Sequence, residues 1–312
     1  MIEIVDRITR RGLMVGAASL AGAASLAAGT PSPSRLILLG TGGGPTPKPN
    51  RSASAQAIVV GDAVYIVDCG DGVARQMVLA GLPLKALKAV FITHHHSDHN
   101  ADYGNLLLLS WAATLASRVD AYGPPPLNAM TRQFLKLNAY DIETRIRDEG
   151  RQPLKDLIVP HEITTGGLVM RDGKVTVTAA LVDHPPVTPA FAYRFDCPDR
   201  SIVISGDTRP SDNLVRLARG ADVLVHEVMY LPALERLIAS EPNAATLREH
   251  LLASHTAVED AGRLATRAGV KTLVLSHFVP GGLPGVPDEV WRDAAATQFK
   301  GEIVVGRDLM VL

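Results

Sequence analysis

Positive charge is nowhere concentrated in this sequence. The 312 residues include 31 lysines and arginines against 32 aspartates and glutamates, which gives a formal net charge of −1. Proteins that bind nucleic acids usually carry a strongly basic face or segment. This balance therefore predicts that nucleic acid is not a partner.

A long, strongly apolar run is also missing. A membrane-spanning helix needs about 20 such residues, whereas the apolar segment NLLLLSWAATLA at 105–116 is much shorter. The sequence therefore predicts no stable membrane anchor. We expect 105–116 to form a buried helix, with Trp111 in the core.

The first residues have the pattern of an export signal. Arg10 and Arg11 precede a weakly apolar stretch, rich in alanine and glycine, that ends near Ala28. This order is typical of a twin-arginine signal peptide. We therefore predict a signal peptide at 1–28, a hydrolase domain at 29–312, the twin-arginine export machinery as a partner, and a periplasmic or secreted location.

Cysteine is scarce, which excludes a disulfide framework. Cys69 and Cys197 are the two cysteines of the chain, and they lie in separate motifs. They could pair in an oxidising compartment. We favour free thiols, because a twin-arginine substrate is usually exported already folded from a reducing cytoplasm.

Strand and helix patterns alternate along the chain without a linker or an internal repeat. The segment RLILLG at 35–40 predicts a buried strand, and Gly61-Asp62 between two apolar segments predicts a two-residue hairpin. This alternation predicts an α/β fold. Helices are expected at 72–80, 104–117, 127–140 and 256–269, a second hairpin at 191–205, and further strands at 221–227 and 272–277.

The segment FITHHHSDHN at 91–100 carries the strongest functional signal. Its loop contains His94, His96, Asp98 and His99. Imidazole nitrogens and carboxylate oxygens are the ligands that suit zinc, iron or manganese. One isolated histidine is more often a core or surface residue, but four in one loop favour a metal site. His95 is expected to point away from the metal, either to solvent or to support the loop.

The H-x-H-x-D-H spacing resembles the signature of the metallo-β-lactamase superfamily. Other motifs of that superfamily have similar counterparts in the same order. They are YIVDCGDG before this segment, and the segments around His184, Asp207 (SGDT) and His277 (LSHF) after it. The resemblance covers about residues 35–312. It implies a four-layer αβ/βα sandwich, with two mixed β-sheets face to face and helices outside.

The resemblance also implies a dinuclear metal site. Seven protein ligands are more than one zinc ion can use, so we predict two Zn²⁺ per chain, although other divalent transition metals are possible. Asp68 is implied as the carboxylate that orients the metal-binding loop. One ion would be bound by His94, His96 and His184 and the second by Asp98, His99 and His277, with Asp207 bridging them.

Two further segments bear on the branch of the superfamily. VLVHEVMY and ASHTAVEDAGRLA resemble segments of ribonuclease Z, which implies that Glu227 and His255 pair near the leaving group. GTGGGP, NRSAS and DHNADYGNLLLL are more similar to bacterial arylsulfatases. The glycine- and lysine-rich arm with which ribonuclease Z grips tRNA has no counterpart at 117–160.

These features predict an exported dinuclear hydrolase of sulfate or phosphate esters, of the arylsulfatase or phosphodiesterase type, with a small-molecule substrate. A metal-bound hydroxide would attack, Asp98 and Asp207 would orient it, and His255, supported by Glu227, would protonate the departing oxygen. The alternative is a lactone or β-lactam hydrolase. A diiron redox protein and a non-catalytic binding protein are less favoured.

Overall fold

A computed structural model describes residues 33–239, 244–281 and 286–312. The predicted signal peptide at 1–28 lies outside these residues, which all belong to one compact unit, 32–312. The strands of the described residues are β1 (Arg35–Gly40), β2 (Ala55–Val60), β3 (Ala63–Val67), β4 (Leu87–Phe91), β5 (Val119–Gly123), β6 (Ile158–Glu162), β7 (Gly167–Arg171), β8 (Thr176–His184), β9 (Val187–Asp196), β10 (Ser201–Ile204), β11 (Val223–Met229), β12 (Thr272–Val279), β13 (Glu302–Val305) and β14 (Met310–Val311).

Helices follow or precede most of these strands. Three of the predicted helices are present, at 73–79, 127–137 and 258–268, and the fourth, predicted at 104–117, ends earlier, at Ala112. The helices of the described residues are α1 (Val73–Leu79), α2 (Ser97–Asn100), α3 (Tyr103–Ala112), α4 (Leu127–Leu137), α5 (Ala139–Glu149), α6 (Asp212–Leu217), α7 (Leu231–Ile238), α8 (Ala244–Ser254), α9 (Val258–Ala268) and α10 (Asp288–Ala296).

The strands form two seven-stranded mixed sheets. The first has the order β14-β1-β2-β3-β4-β5-β6 and the second β13-β12-β11-β10-β9-β8-β7. Strands β3 to β6 run parallel, as do β10 to β13, and the other neighbours are antiparallel. The predicted two-sheet sandwich with outer helices is confirmed.

The sandwich has an apolar core on both faces of each sheet. In β1, Leu36 and Leu38 pack between the two sheets, whereas Ile37 and Leu39 pack against the helices outside the first sheet. A strand that is buried on both faces has to be apolar, which explains the run LILLG that follows the exposed Arg35. Each fully buried side chain of this kind stabilises the fold by about 1.5 to 3 kcal/mol.

The Gly61-Asp62 hairpin and the position of Trp111 agree with the sequence predictions. Val60 pairs with Ala63 across the turn, and Gly61 has φ 61°, a value that a two-residue turn demands and glycine adopts without strain. Trp111 is 1% exposed, and its Nε1 donates to the Gln152 carbonyl at 2.8 Å. Trp111 is therefore a core residue.

Two further sequence predictions concern the membrane and the thiols. Among the described residues, every helix is too short or too polar to cross a membrane. Cys69 is buried, Cys197 is half-buried, and both are free.

Candidate metal centre

The predicted ligands meet where strands of both sheets end. His94 and His96 follow β4, and α2 begins at Ser97, which places Asp98 and His99 in the next turn. From the second sheet, His184 ends β8 and Asp207 follows β10. His277 lies near the end of β12. Side chains at the carboxyl ends of parallel strands share one edge of a sheet. These edges of the two sheets meet, so residues from both sheets build one site.

Three imidazoles and one carboxylate form the first cluster. The His96 Nδ1 lies 3.1 Å from both the His94 Nε2 and the His184 Nε2. Asp207 Oδ2 is 3.9 Å from each of those Nε2 atoms. One ligand atom from each of the four residues lies within 4.8 Å of the others. His184 donates its Nδ1–H to the Ser254 carbonyl at 2.9 Å, which leaves Nε2 free to bind a metal.

A second cluster lies on the other side of Asp207. The His99 Nε2 and His277 Nε2 are 3.1 Å apart, and each is 3.3 Å from Asp207 Oδ2. Asp98 Oδ2 is 3.2 Å from the His277 Nε2 and accepts the Gly44 N–H at 2.8 Å. The structure thus brings together all seven side chains that the sequence singled out.

The spacing of these atoms suits a tetrahedral metal site. Ligands at about 2.0–2.1 Å from a zinc ion are roughly 3.3 Å from one another, and the facing nitrogens here are 3.1 Å apart. Asp207 Oδ1 is buried and has no hydrogen-bond partner among the described residues. A buried carboxylate oxygen without a donor is costly, and a cation would satisfy it.

Buried carboxylates and imidazoles shift one another's pKa at this site. Burial lowers the pKa of His99, but the carboxylates of Asp207, Asp68 and Asp98 outweigh burial and raise that pKa well above its usual range. Burial raises the pKa of Asp207, but His277 and His99 lower it well below its usual range. Clustered buried carboxylates need a positive charge beside them, as metal ions would provide.

Asp68 orients His99 from beneath the site. It is 1% exposed, and its Oδ2 accepts the His99 Nδ1–H at 2.7 Å. The same carboxylate accepts the Thr93 N–H at 2.8 Å and the Thr93 hydroxyl at 2.9 Å. These bonds fix the His99 ring so that Nε2 faces Asp207.

Left-handed backbone occurs at two of the functional residues. Asp68 has φ 61° and His277 has φ 43°, a region that residues other than glycine seldom adopt. Position 43, in the loop opposite His277, requires glycine, because a Cβ on Gly43 would lie 2.7 Å from the His277 Nδ1. Of the four non-glycine residues with positive φ among the described residues, two therefore lie at the candidate metal centre.

His255 and Glu227 form a buried pair beside the clusters. The His255 Nδ1 is 3.2 Å from Glu227 Oε1 and 4.0 Å from Asp207 Oδ2. Burial lowers the pKa of His255, but the charge and the hydrogen bond of Glu227 raise it to about 9. Glu227 Oε1 also accepts the Thr256 N–H at 3.1 Å and the Thr208 N–H at 3.2 Å, so the carboxylate is held firmly.

These features have counterparts in known proteins. Residues 64–278 match the beta-lactamase superfamily domain. Ribonuclease Z of Mycobacterium bovis is 38% identical over 277 residues, which cover 88% of this chain and 96% of that relative. The chain belongs to the ribonuclease Z family of the β-lactamase superfamily. Ribonuclease Z of Mycobacterium tuberculosis is 37% identical over the same shares.

Solved structures of the superfamily share the fold. Human tRNase Z, short form, superposes with a TM-score of 0.66 and 22% identity over 89% of this chain and 98% of that chain. YhfI from Bacillus subtilis, a metallo-β-lactamase fold protein, superposes with a TM-score of 0.64 and 22% identity over 90% of this chain and 99% of that chain. The protein is therefore a hydrolase of the metallo-β-lactamase fold with candidate metal-binding clusters.

The ribonuclease Z relatives overturn the predicted substrate. They match nearly their whole length and are named for RNA, so the predictions of an arylsulfatase or small-molecule phosphodiesterase and of no nucleic-acid partner were wrong. The error was to infer partners from net charge, which sums the whole surface, whereas phosphate recognition depends on the local field of one cleft. The same relatives lend no support to export, and the location stays a prediction from residues 1–28.

Several contacts of the site carried no sequence signal. His95 points away from the clusters as predicted, and both of its ring nitrogens are bonded, Nε2 to the Pro124 carbonyl at 2.8 Å and Nδ1 to the Asn100 amide at 2.9 Å. Thr93 and Ser254 were not singled out. Adjacency to His94 could have pointed to Thr93, but only the fold brings Ser254 to His184, which is 70 residues away.

Proposed function

We propose that this protein is a metal-dependent ribonuclease that hydrolyses a phosphodiester bond in a transfer-RNA-type substrate. The observation that carries this proposal is the 38% identity with ribonuclease Z across 96% of that relative. The pairing of His255 with Glu227 supports it, because these residues lie in the two segments that resemble ribonuclease Z.

The metal complement that we propose is two zinc ions per chain. His94, His96 and His184 would hold one ion and Asp98, His99 and His277 the other, with Asp207 touching both. When bound, such a pair supplies positive charge to the phosphate and lowers the pKa of a water molecule towards neutrality.

The side chains around the clusters would hold the reactants in place. Asp98 is 5% exposed, and its bond from the Gly44 N–H ties the loop at 41–52 to the site. We assign to Asp98 and Asp207 the orientation of the attacking water. Because Asp98 is held by the Gly44 N–H, it needs little rearrangement during the reaction.

His255 would transfer the proton that the departing oxygen needs. Glu227 accepts a hydrogen bond from Nδ1, which fixes the ring and leaves Nε2 to carry a proton to the substrate. A ribose oxygen leaves as a strongly basic alkoxide unless it is protonated, and general acid catalysis typically contributes about 10² to 10⁴ in rate. The pair therefore suits RNA better than a nitrophenyl ester.

A substrate panel tests this proposal. The purified protein, supplied with Zn²⁺, is incubated with a transfer-RNA precursor that has a 3′ extension, an unstructured RNA of the same length, and nitrophenyl sulfate. We expect one defined cut in the precursor, abolished by a chelator and by Asp207→Ala.

A matched variant controls for general damage to the protein. His161→Ala removes another histidine that is bonded to a carboxylate, Asp120 at 2.7 Å, outside the clusters, and it should leave cleavage intact. Turnover of the sulfate with no cleavage of either RNA would refute the proposal.

A further inference from the structure

His250 stands at the mouth of the candidate metal centre without an assigned role. It lies on α8 and is half-buried. Its ring centre is 6.3 Å from that of His96 and 6.4 Å from those of His184 and His255. His250 is thus close to side chains of the first cluster and to the proposed acid, and it bonds to none of them.

The ring nitrogens of His250 are poorly satisfied by the protein. Among the described residues, its hydrogen-bond contact is a long one, 3.4 Å from Nδ1 to the Ser254 hydroxyl, and that hydroxyl already donates to the Pro185 carbonyl. His95 shows the contrast, because both of its nitrogens have partners within 2.9 Å. Because the half-buried ring of His250 has no such close partner among the described residues, its nitrogens keep their capacity to bind a ligand.

We infer that His250 contacts the nucleotide that departs with the protonated oxygen, and so helps to hold the RNA in the site. The inference rests on the proposed function. If His255 protonates the leaving oxygen, the departing nucleotide lies next to His255. The ring centre of His250 is 6.4 Å from that of His255, which puts His250 within reach of that nucleotide.

The chemistry of an imidazole fits such a partner. Unstacked RNA bases are commonly bound against aromatic side chains, histidine among them. Removal of one aromatic partner of a base typically weakens binding about 5- to 150-fold. His250 would act on the affinity for RNA and not on the bond-breaking step, which makes it a substrate-binding residue.

A double-mutant cycle between protein and substrate tests this inference. The native protein and His250→Ala are each assayed with the precursor RNA and with the same RNA made abasic at the departing nucleotide. We expect His250→Ala to raise KM for the intact RNA at least fivefold with little change in kcat. It should have almost no further effect on the abasic RNA, because the partner of the side chain is already gone.

Two controls separate contact from structural damage. Bis(4-nitrophenyl) phosphate has no nucleoside, so His250→Ala should hydrolyse it within about twofold of the native rate and keep the native zinc content. Glu249→Gln changes the exposed neighbour of His250 on the same helix and should match the native protein throughout. If His250→Ala unfolds at a lower temperature, His250→Gln replaces it in the cycle.

The outcomes distinguish this inference from the proposed function. A native protein that cuts no RNA would refute the proposed function itself. If the native protein cuts RNA but the effects of His250→Ala and of the abasic site are additive, the role of His250 is refuted. The same holds if these effects couple only when the abasic site lies on the other side of the scissile bond.

Discussion

Replacing Asp68 by asparagine should weaken the second metal site without disturbing the backbone. Asp68 has φ 61°, and asparagine tolerates this left-handed region about as well as aspartate does. The two side chains have nearly the same shape, so the packing of this buried residue is kept. What changes is the atom that faces the His99 Nδ1, now 2.7 Å from a carboxylate oxygen.

The loss follows from the hydrogen-bond inventory of the two side chains. Asp68 Oδ2 accepts both the His99 Nδ1–H and the Thr93 hydroxyl, and an amide oxygen cannot serve these donors and the Thr93 N–H together. With an NH₂ group at that position, His99 has to move its proton to Nε2, the atom that faces His277 and Asp207. Loss of such a supporting bond typically lowers metal affinity 10- to 100-fold, or about 1.4 to 2.8 kcal/mol.

Zinc titration against a competing chelator measures this effect. We expect Asp68→Asn to bind one zinc with native affinity and the other 10 to 100 times more weakly, so that bound zinc falls towards one per chain at limiting metal. Asp102→Asn is the matched control, because Asp102 accepts the Gly72 N–H at 2.7 Å and forms no side-chain hydrogen bond with a histidine among the described residues. Two sites of native affinity in Asp68→Asn would refute the role given to Asp68.

Three other predictions follow from the site and the fold. Elemental analysis of the zinc-replete protein should give about two metals per chain, and Asp207→Ala should lose metal and activity together; at most one equivalent in the native protein would contradict the dinuclear site. His255→Ala should slow RNA cleavage about 10² to 10⁴-fold but spare bis(4-nitrophenyl) phosphate to within about tenfold, since nitrophenolate leaves unaided; equal losses on both would make His255 structural. The pKa of Asp222 is lowered to about 2, chiefly by the hydrogen bond from Lys271 and also by the Ser201 N–H. The carboxylate therefore stabilises the fold fully above the unfolded-state pKa near 4, and this stabilisation is lost as the pH falls through 2. Urea unfolding should therefore find Asp222→Asn less stable than the native protein at pH 7 and nearly equal to it at pH 2; a constant difference would refute this account.

The sequence was most informative where local pattern and final environment coincide. The run at 36–40 is apolar because this part of β1 is buried on both faces. The histidines of 94–99 stand together in the sequence because one short segment supplies them. Contacts over long separations could not be found this way. The hydrogen bond between Ser254 and His184 and the position of His250 depend on how α8 packs against the second sheet. No sequence pattern in α8 predicts this packing.

The substrate lay beyond the sequence argument for a different reason. Net charge describes the whole surface, and here the acidic and basic residues nearly cancel. The chemistry depends on a few buried groups whose positions relative to one another only the fold sets. The similarity to ribonuclease Z, 38% identity over 88% of this chain, points to RNA instead.

The division of the ligands between two sheets ties metal uptake to the completion of folding. His99 and His277 are 178 residues apart in the chain, and each cluster takes donors from the first sheet and from the second. A chain that has formed only its first half holds an incomplete set of donors and cannot retain an ion tightly. The zinc content of a preparation should thus measure the fraction of molecules in which the two sheets have packed together. Newly made chains should bind their metal only after that step.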